Sequence, residues 1–176
     1  MTERETGKAD LSRIRAIALD VDGVLTDGGF WWGGDGEEFK RFCFADVMGL
    51  SLARRAGFAL ALVSGEDSPL VDRYAEKMLI HHVIKGSRDK AGALREVAMR
   101  SGIALEAFCY MGDDINDIPA MQIAGVSFAP ANANSLVQST ARFITESSGG
   151  NGAVREMVDA LLAAQGIDPL ETLKKK

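Results

Sequence analysis

The chain has 176 residues, 47% of them hydrophobic, which suits one domain with a single substantial core and leaves no room for a second complete one. Acidic residues outnumber basic ones, 25 to 20, for a formal net charge of -5, and outside Lys174-Lys175-Lys176 no basic run is interleaved with aromatics, which argues against nucleic acid as a partner. No stretch approaches the roughly 18 apolar residues of a membrane span and residues 1–12 lack the apolar core of a secretory signal, so a cytoplasmic protein without a membrane partner is expected.

Short apolar runs alternate with longer amphipathic stretches, the pattern of parallel strands joined by helical crossovers. The fold class expected is therefore α/β, a Rossmann-like open parallel sheet flanked by helices. A flexible N-terminus (1–12) leads into the domain (13–165), whose first strand, 15–20, runs into Asp20-Val21-Asp22-Gly23. The next segment breaks the alternation: Phe30-Trp31-Trp32 and Glu38-Phe39-Lys40-Arg41-Phe42 flank Gly33-Gly34-Asp35-Gly36, two strands around a tight turn, so a small β-hairpin is inserted at 28–44. Its aromatics either pack on the domain or form a subunit contact.

A helix at 48–56 stops at Gly57 as at a left-handed cap, and the second strand, 58–64, delivers Ser64-Gly65-Glu66. Ser68 then caps a helix that has Pro69 at its first position. Strand 82–84 precedes Lys90, which opens a helix over 90–101, and strand 108–112 delivers Gly112-Asp113-Asp114. Helices at 119–124, 134–139 and 153–164 surround strands at 126–128 and 142–144, and the tail, 166–176, is expected to be loose. Cys43 and Cys109 lie in apolar segments and read as free thiols of a reducing compartment.

In an open parallel sheet, ligands gather where strands end, so the polar groups at four separate strand ends belong together. Clustered carboxylates repel one another and are tolerated around a hard cation with oxygen ligands, which points to Mg2+ held by Asp20, Asp113 and the Asp22 backbone carbonyl. With the phosphate charge neutralised, Asp20 can attack phosphorus and form an aspartyl-phosphate, splitting the reaction in two. Asp22 can protonate the leaving oxygen and later activate water. Ser64 and the amides after it, Gly65 included, meet the phosphate oxygens, and Lys90 holds the phosphate and keeps Asp20 ionised. Asp114 and Asp117 orient Lys90 or metal-bound water. Each piece alone has a plain alternative: Asp-x-Asp-Gly as a polar turn, Ser-Gly or Asp-Asp as helix caps, a lysine as a solvated charge. Their order along the chain carries the reading. A phosphoacceptor receiver domain, a non-enzymatic rival, would need an aspartate at the third strand end, where Ile84-Lys85-Gly86 offers none.

Asp20-Val21-Asp22-Gly23-Val24-Leu25-Thr26-Asp27, Ser64, Lys90 and Gly112-Asp113-Asp114-Ile115-Asn116-Asp117 resemble the four motifs of haloacid dehalogenase superfamily phosphatases. Over roughly 14–165, and especially at Gly149-Gly150-Asn151-Gly152-Ala153-Val154-Arg155-Glu156, the chain is similar to the minimal-cap 3-deoxy-D-manno-octulosonate 8-phosphate phosphatases. That resemblance implies a small phosphorylated sugar acid as substrate, and self-association as a homotetramer through the hairpins, with a neighbour's C-terminal segment over the pocket. Glu66 stands where that group carries arginine, and Glu66 with Lys77 is similar to phosphatases of nine-carbon sialic-acid-type 9-phosphates, in which an acid and a lysine face the substrate. Those relatives carry arginine where Tyr74 stands, and Ala45-Asp46-Val47-Met48-Gly49 departs from the usual Asp-Gly-x-Gly-Ile. Similar domains also occur as catalytically silent assembly units of sialic-acid-activating enzymes, which gives a non-enzyme alternative.

Overall fold

A computed structural model describes residues 10–174. Its centre is a six-stranded, fully parallel sheet in the order β5-β4-β1-β6-β7-β8, made of β1 (Ala16–Leu19), β4 (Ala59–Val63), β5 (His82–Ile84), β6 (Phe108–Met111), β7 (Val126–Ala129) and β8 (Phe143–Ile144). The helices are α1 (Phe44–Ala56), α2 (Pro69–Met78), α3 (Lys90–Ser101), α4 (Ile118–Ile123), α5 (Ser135–Thr140), α6 (Ala153–Ala164) and α7 (Pro169–Lys174). The expected α/β architecture is thus the one found, with strand bounds within a residue of those expected.

The period-two geometry of the strands sorts the core into two layers. Ile17, Leu19, Leu60, Leu62, Cys109 and Met111 face a cluster completed by α1, α2 and α6. Ala16, Ala18, Ala61, Val63, Phe108 and Tyr110 face the other, completed by α3, α4 and α5. Because both faces are covered, every residue of β1 is buried, which is why these strands read as continuous apolar runs rather than alternating ones.

From β1 the chain builds outward to β4 and β5, then returns through α3 to β6 on the other side of β1. The order reverses at β1, and such a switch point opens a crevice at the strands' carboxyl ends. Leu19 lies level with Leu62 and Met111, so Asp20, Ser64 and Asp113 leave the sheet within two residues of one another's height.

The hairpin forms as β2 (Trp31–Trp32) and β3 (Glu38–Phe39), closed by Gly33 N–H donating to the Glu37 carbonyl at 2.7 Å. Its aromatics do not pack on the domain: Phe30, Trp31, Trp32 and Phe39 are 48, 55, 71 and 50% exposed. Only Phe42, at its exit, turns inward, stacked on Tyr74 with centroids 4.3 Å apart.

Two segments depart from expectation. α1 starts at Phe44, four residues before the predicted 48, with Cys43 at the N-cap position making no side-chain cap bond. The tail is not loose over its described part: Asp168 Oδ1 accepts from Leu170 N at 2.7 Å, Pro169 opens α7, and α7 packs on α1 of its own chain, with Arg55 Nη1 donating to the Leu173 carbonyl at 3.0 Å. Thr172 is buried there. Residues 1–9 of the expected flexible N-terminus lie outside the described residues, while Leu11 is buried and its carbonyl accepts from Gln165 Nε2 at 3.3 Å. Among the described residues no helix is long and apolar enough to cross a membrane.

Candidate active site

Asp20, Asp22, Gly65, Glu66, Lys90, Asp113 and Asp114 line one open pocket of about 270 Å³ at the carboxyl ends of β1, β4 and β6, together with Gly28 and Asn116. At its floor Lys90 Nζ sits 2.9 Å from Asp20 Oδ1 and 2.8 Å from Asp117 Oδ1, with Asp20 and Lys90 almost wholly buried. Asp89, the N-cap of α3, accepts from Gly92 N at 2.8 Å and so fixes the helix start that aims Lys90 inward.

Asp117 is the hub of this floor. One oxygen accepts from Lys90 and from Tyr110 Oη (2.7 Å), and the other from Asp113 N (3.1 Å) and Asp114 N (3.2 Å). Its carboxylate is fully used in positioning. Asp114 does not reach Lys90; it caps the short 3-10 turn Ile115–Asp117 by accepting from Ile115 N at 2.7 Å.

Burial, more than the neighbouring Asp117, pushes the Asp20 carboxyl well above its ordinary value against the pull of Lys90. Burial and then Asp117 push Asp113 up to about 6. Lys90 is opposed by burial, yet Asp20 and Asp117 win and hold it above its ordinary value. One lysine thus fails to balance the acids around it. Ligand oxygens of Asp20, Asp113 and Asp117 lie within 4.8 Å of one another. An all-oxygen donor set with surplus negative charge suits a hard divalent cation such as Mg2+. Since Asp117 is occupied by four donors, Asp20 and Asp113 are the carboxylates left to hold it, and Asp22 would join through its backbone carbonyl.

The loop after β1 is held tightly. Gly23 has φ +85°, and a Cβ there would fall 1.9 Å from Asp113 Oδ2, so only glycine lets Asp113 fold across the loop. Thr26 Oγ1 accepts from Gly23 N at 3.3 Å and Gly28 N at 3.2 Å. Behind it lies the 149–156 motif. Gly150 N donates to the Val24 carbonyl at 2.9 Å, and a Cβ on Gly149 would stand 1.7 Å from the Gly23 carbonyl oxygen. That motif is therefore a backbone brace for the loop, and Arg41 ties the hairpin to it through the Gly150 carbonyl (3.1 Å) and Asn151 Oδ1 (3.2 Å).

Ser64 is buried one residue behind Gly65, its Oγ accepting from Glu66 N at 3.1 Å. Glu66 is exposed on the pocket wall. Lys77 is not brought to it: exposed on α2, it lines a separate cleft of about 300 Å³ with Phe42, Phe44 and Tyr74.

The sequence reading missed two residues. Lys40, on the hairpin, places Nζ 2.7 Å from both Asp22 Oδ1 and Glu66 Oε2 and 3.6 Å from Glu38 Oε1, its side chain only 1% exposed. Asp46, wholly buried in α1, accepts from Gly152 N (3.2 Å) and Arg155 N (2.8 Å), so it caps the start of α6 from another helix. Its place in the departure from Asp-Gly-x-Gly-Ile was the available signal; for Lys40 there was none, because the two acids nearest its ammonium, Asp22 and Glu66, come from distant segments.

A parallel α/β sheet whose switch point gathers aspartates, a buried lysine and a serine defines a haloacid dehalogenase-like hydrolase, and the profile of that family, described as haloacid dehalogenase-like hydrolase, matches residues 67–157. The chain belongs to this family. It is 39% identical over 158 residues to the 3-deoxy-D-manno-octulosonate 8-phosphate phosphatase of Escherichia coli, covering 90% of this chain and 84% of that one. The crystal structure of the Moraxella catarrhalis 3-deoxy-D-manno-octulosonate 8-phosphate phosphatase, in complex with magnesium, phosphate and KDO, superposes with a TM-score of 0.88 at 36% identity, covering 90% of this chain and 91% of that one. A putative HAD superfamily (subfamily III A) hydrolase of Legionella pneumophila is similar over 99% of this chain and 97% of its own, with a TM-score of 0.95 at 35% identity.

Proposed function

We propose that the chain is a Mg2+-dependent phosphatase that hydrolyses a phosphorylated sugar acid, 3-deoxy-D-manno-octulosonate 8-phosphate, to the free sugar acid and phosphate. The observation that carries this is the Asp20–Lys90–Asp117 floor beside Asp113, open to a pocket that has room for a phosphate. The similarity to enzymes of that name over nine-tenths of the chain supports the substrate.

In this reading Mg2+, held by Asp20, Asp113 and the Asp22 carbonyl, supplies charge neutralisation at the phosphate oxygens. Asp20 attacks phosphorus, and the bond to the leaving oxygen breaks as the aspartyl-phosphate forms. Asp22 gives that oxygen its proton and then takes one from the water that cleaves the acyl-phosphate. Lys90, fixed by Asp117, balances charge on the transferring group, and Ser64 with the Gly65 amide meets its oxygens. Lys40 orients the Asp22 carboxylate and the Glu66 wall.

The exposed aromatic hairpin supports self-association through that face, as a homotetramer, in a cytoplasmic protein. Sedimentation as a monomer at micromolar concentration would overturn the assembly. Glu66, an acid on the wall, supports a second substrate reading, a nine-carbon 9-phosphate, although Lys77, its partner in that reading, lines the neighbouring cleft. An assay panel of octulosonate 8-phosphate, nine-carbon acid 9-phosphates and hexose phosphates, with and without Mg2+, separates the two. Undiminished turnover by Asp20→Asn would reject Asp20 as nucleophile, and absence of turnover on the whole panel would favour a silent assembly domain.

A further inference from the structure

Beside the phosphate pocket lies a larger cleft of about 680 Å³ between the hairpin and the start of α2. The two share Glu66 as a wall, so a leaving group that passes Glu66 on its way out enters this cleft. Four acids line it, Glu37, Glu38, Glu66 and Asp67, against a single cation, Arg73. The acids are not all idle: Glu38 and Glu66 face Lys40, and Asp67 pairs with Lys85 at 2.8 Å. Arg73 makes no ion pair among the described residues, although acids line the same cleft. It is exposed on α2, and it also lines the neighbouring cleft of about 300 Å³ whose walls hold Lys40 and Lys77 and no carboxylate.

We propose that Arg73 determines specificity by receiving the carboxylate of the sugar acid while the acids of the larger cleft accept its hydroxyls. This rests on the phosphatase reading above. A substrate with phosphate at one end and carboxylate at the other must place its second anion somewhere along this exit. Glu66 and Asp67 repel it from the near wall, while the seam between the two clefts carries an unpaired guanidinium with further cations behind it. The planar fork of arginine matches a carboxylate with two parallel hydrogen bonds, which lysine does not reproduce. Polyhydroxylated carbons, by contrast, are donors suited to a row of carboxylate acceptors.

The test is steady-state kinetics of the full-length Mg2+-loaded protein on octulosonate 8-phosphate and on a neutral hexose 6-phosphate, for the unmodified chain, Arg73→Ala and Arg73→Lys. Loss of a charged hydrogen-bond pair predicts that Arg73→Ala lowers the acid-to-neutral ratio of kcat/KM by about 10- to 100-fold, chiefly through KM for the acid. Arg73→Lys should recover part of it, and an unchanged melting temperature checks the fold. The same ratio in all three proteins overturns the role of Arg73 while leaving the phosphatase reading intact. Failure of the unmodified chain to prefer the acid overturns the substrate reading, and this inference with it.

Discussion

Lys40 Nζ lies 2.7 Å from Asp22 Oδ1, so a residue of the inserted hairpin holds the carboxylate proposed to protonate the leaving group. Lys40→Met removes this tether and should slow alkyl phosphates, which need proton donation, by about 10-fold or more. An activated aryl phosphate, needing less protonation, should lose less. Comparing kcat across leaving groups checks this, and equal losses would mean that Lys40 acts on the phosphate charge instead.

Asp117 receives Lys90, Tyr110 and two backbone amides while wholly buried. Truncation to alanine leaves Lys90 with Asp20 as its one remaining carboxylate and deprives the Tyr110 hydroxyl and two backbone amides of their acceptor, at about 1–3 kcal/mol for each buried group left unsatisfied. Urea unfolding of Asp117→Ala should show that loss, and its kcat should fall because Lys90 is no longer fixed.

Cation binding should depend on pH in one direction. Burial raises Asp20 and Asp113, the latter to about 6, and a divalent ion binds only their ionised forms. Affinity for Mg2+ should therefore climb as pH rises through 6, with proton release visible when calorimetry is repeated in buffers of different ionisation enthalpy. The metal-free fold carries the opposite slope. A carboxyl raised above its unfolded value adds stability that is complete below that value and lost as pH rises through the folded one. Melting temperatures without metal should thus fall from pH 4 towards 7 as Asp113 ionises, and Asp113→Asn should flatten the trend.

Asp46 caps α6 from α1, and burial raises its carboxyl although the two amides pull it down. Asp46→Ala leaves both amides without their acceptor and should cost about 1–3 kcal/mol in chemical denaturation. Asp46→Asn, keeping one acceptor oxygen, should fall between.

What could be read from the sequence follows the range of the interactions involved. The apolar runs and the polar residues at their ends were legible because strand burial and strand-end chemistry are local in sequence. α3 and α6 were placed at their observed bounds, since Asp89-Lys90 and Gly152-Ala153 mark starts that nearby residues declare. The start of α1 was not, because Cys43 offers no side-chain cap to mark it. α7 was read as part of a loose tail, though Asp168-Pro169 is a cap and a first-turn proline. The roles of Lys40 and Asp46 were hidden for a different reason: their hydrogen-bond partners are 18 to 109 residues away, and alternation in a hairpin or a helix does not disclose them.

The brace that Gly149 and Gly150 press against the loop after Asp22 has a consequence for how the enzyme is made. A nascent chain that has emerged only as far as residue 148 already carries every aspartate of the site, yet the turn on which Asp22 rides has Thr26 to hold it and lacks the brace behind it. Competence arrives with about the last sixth of the polypeptide, so fragments released early by a stalled ribosome would bear the motifs and remain idle.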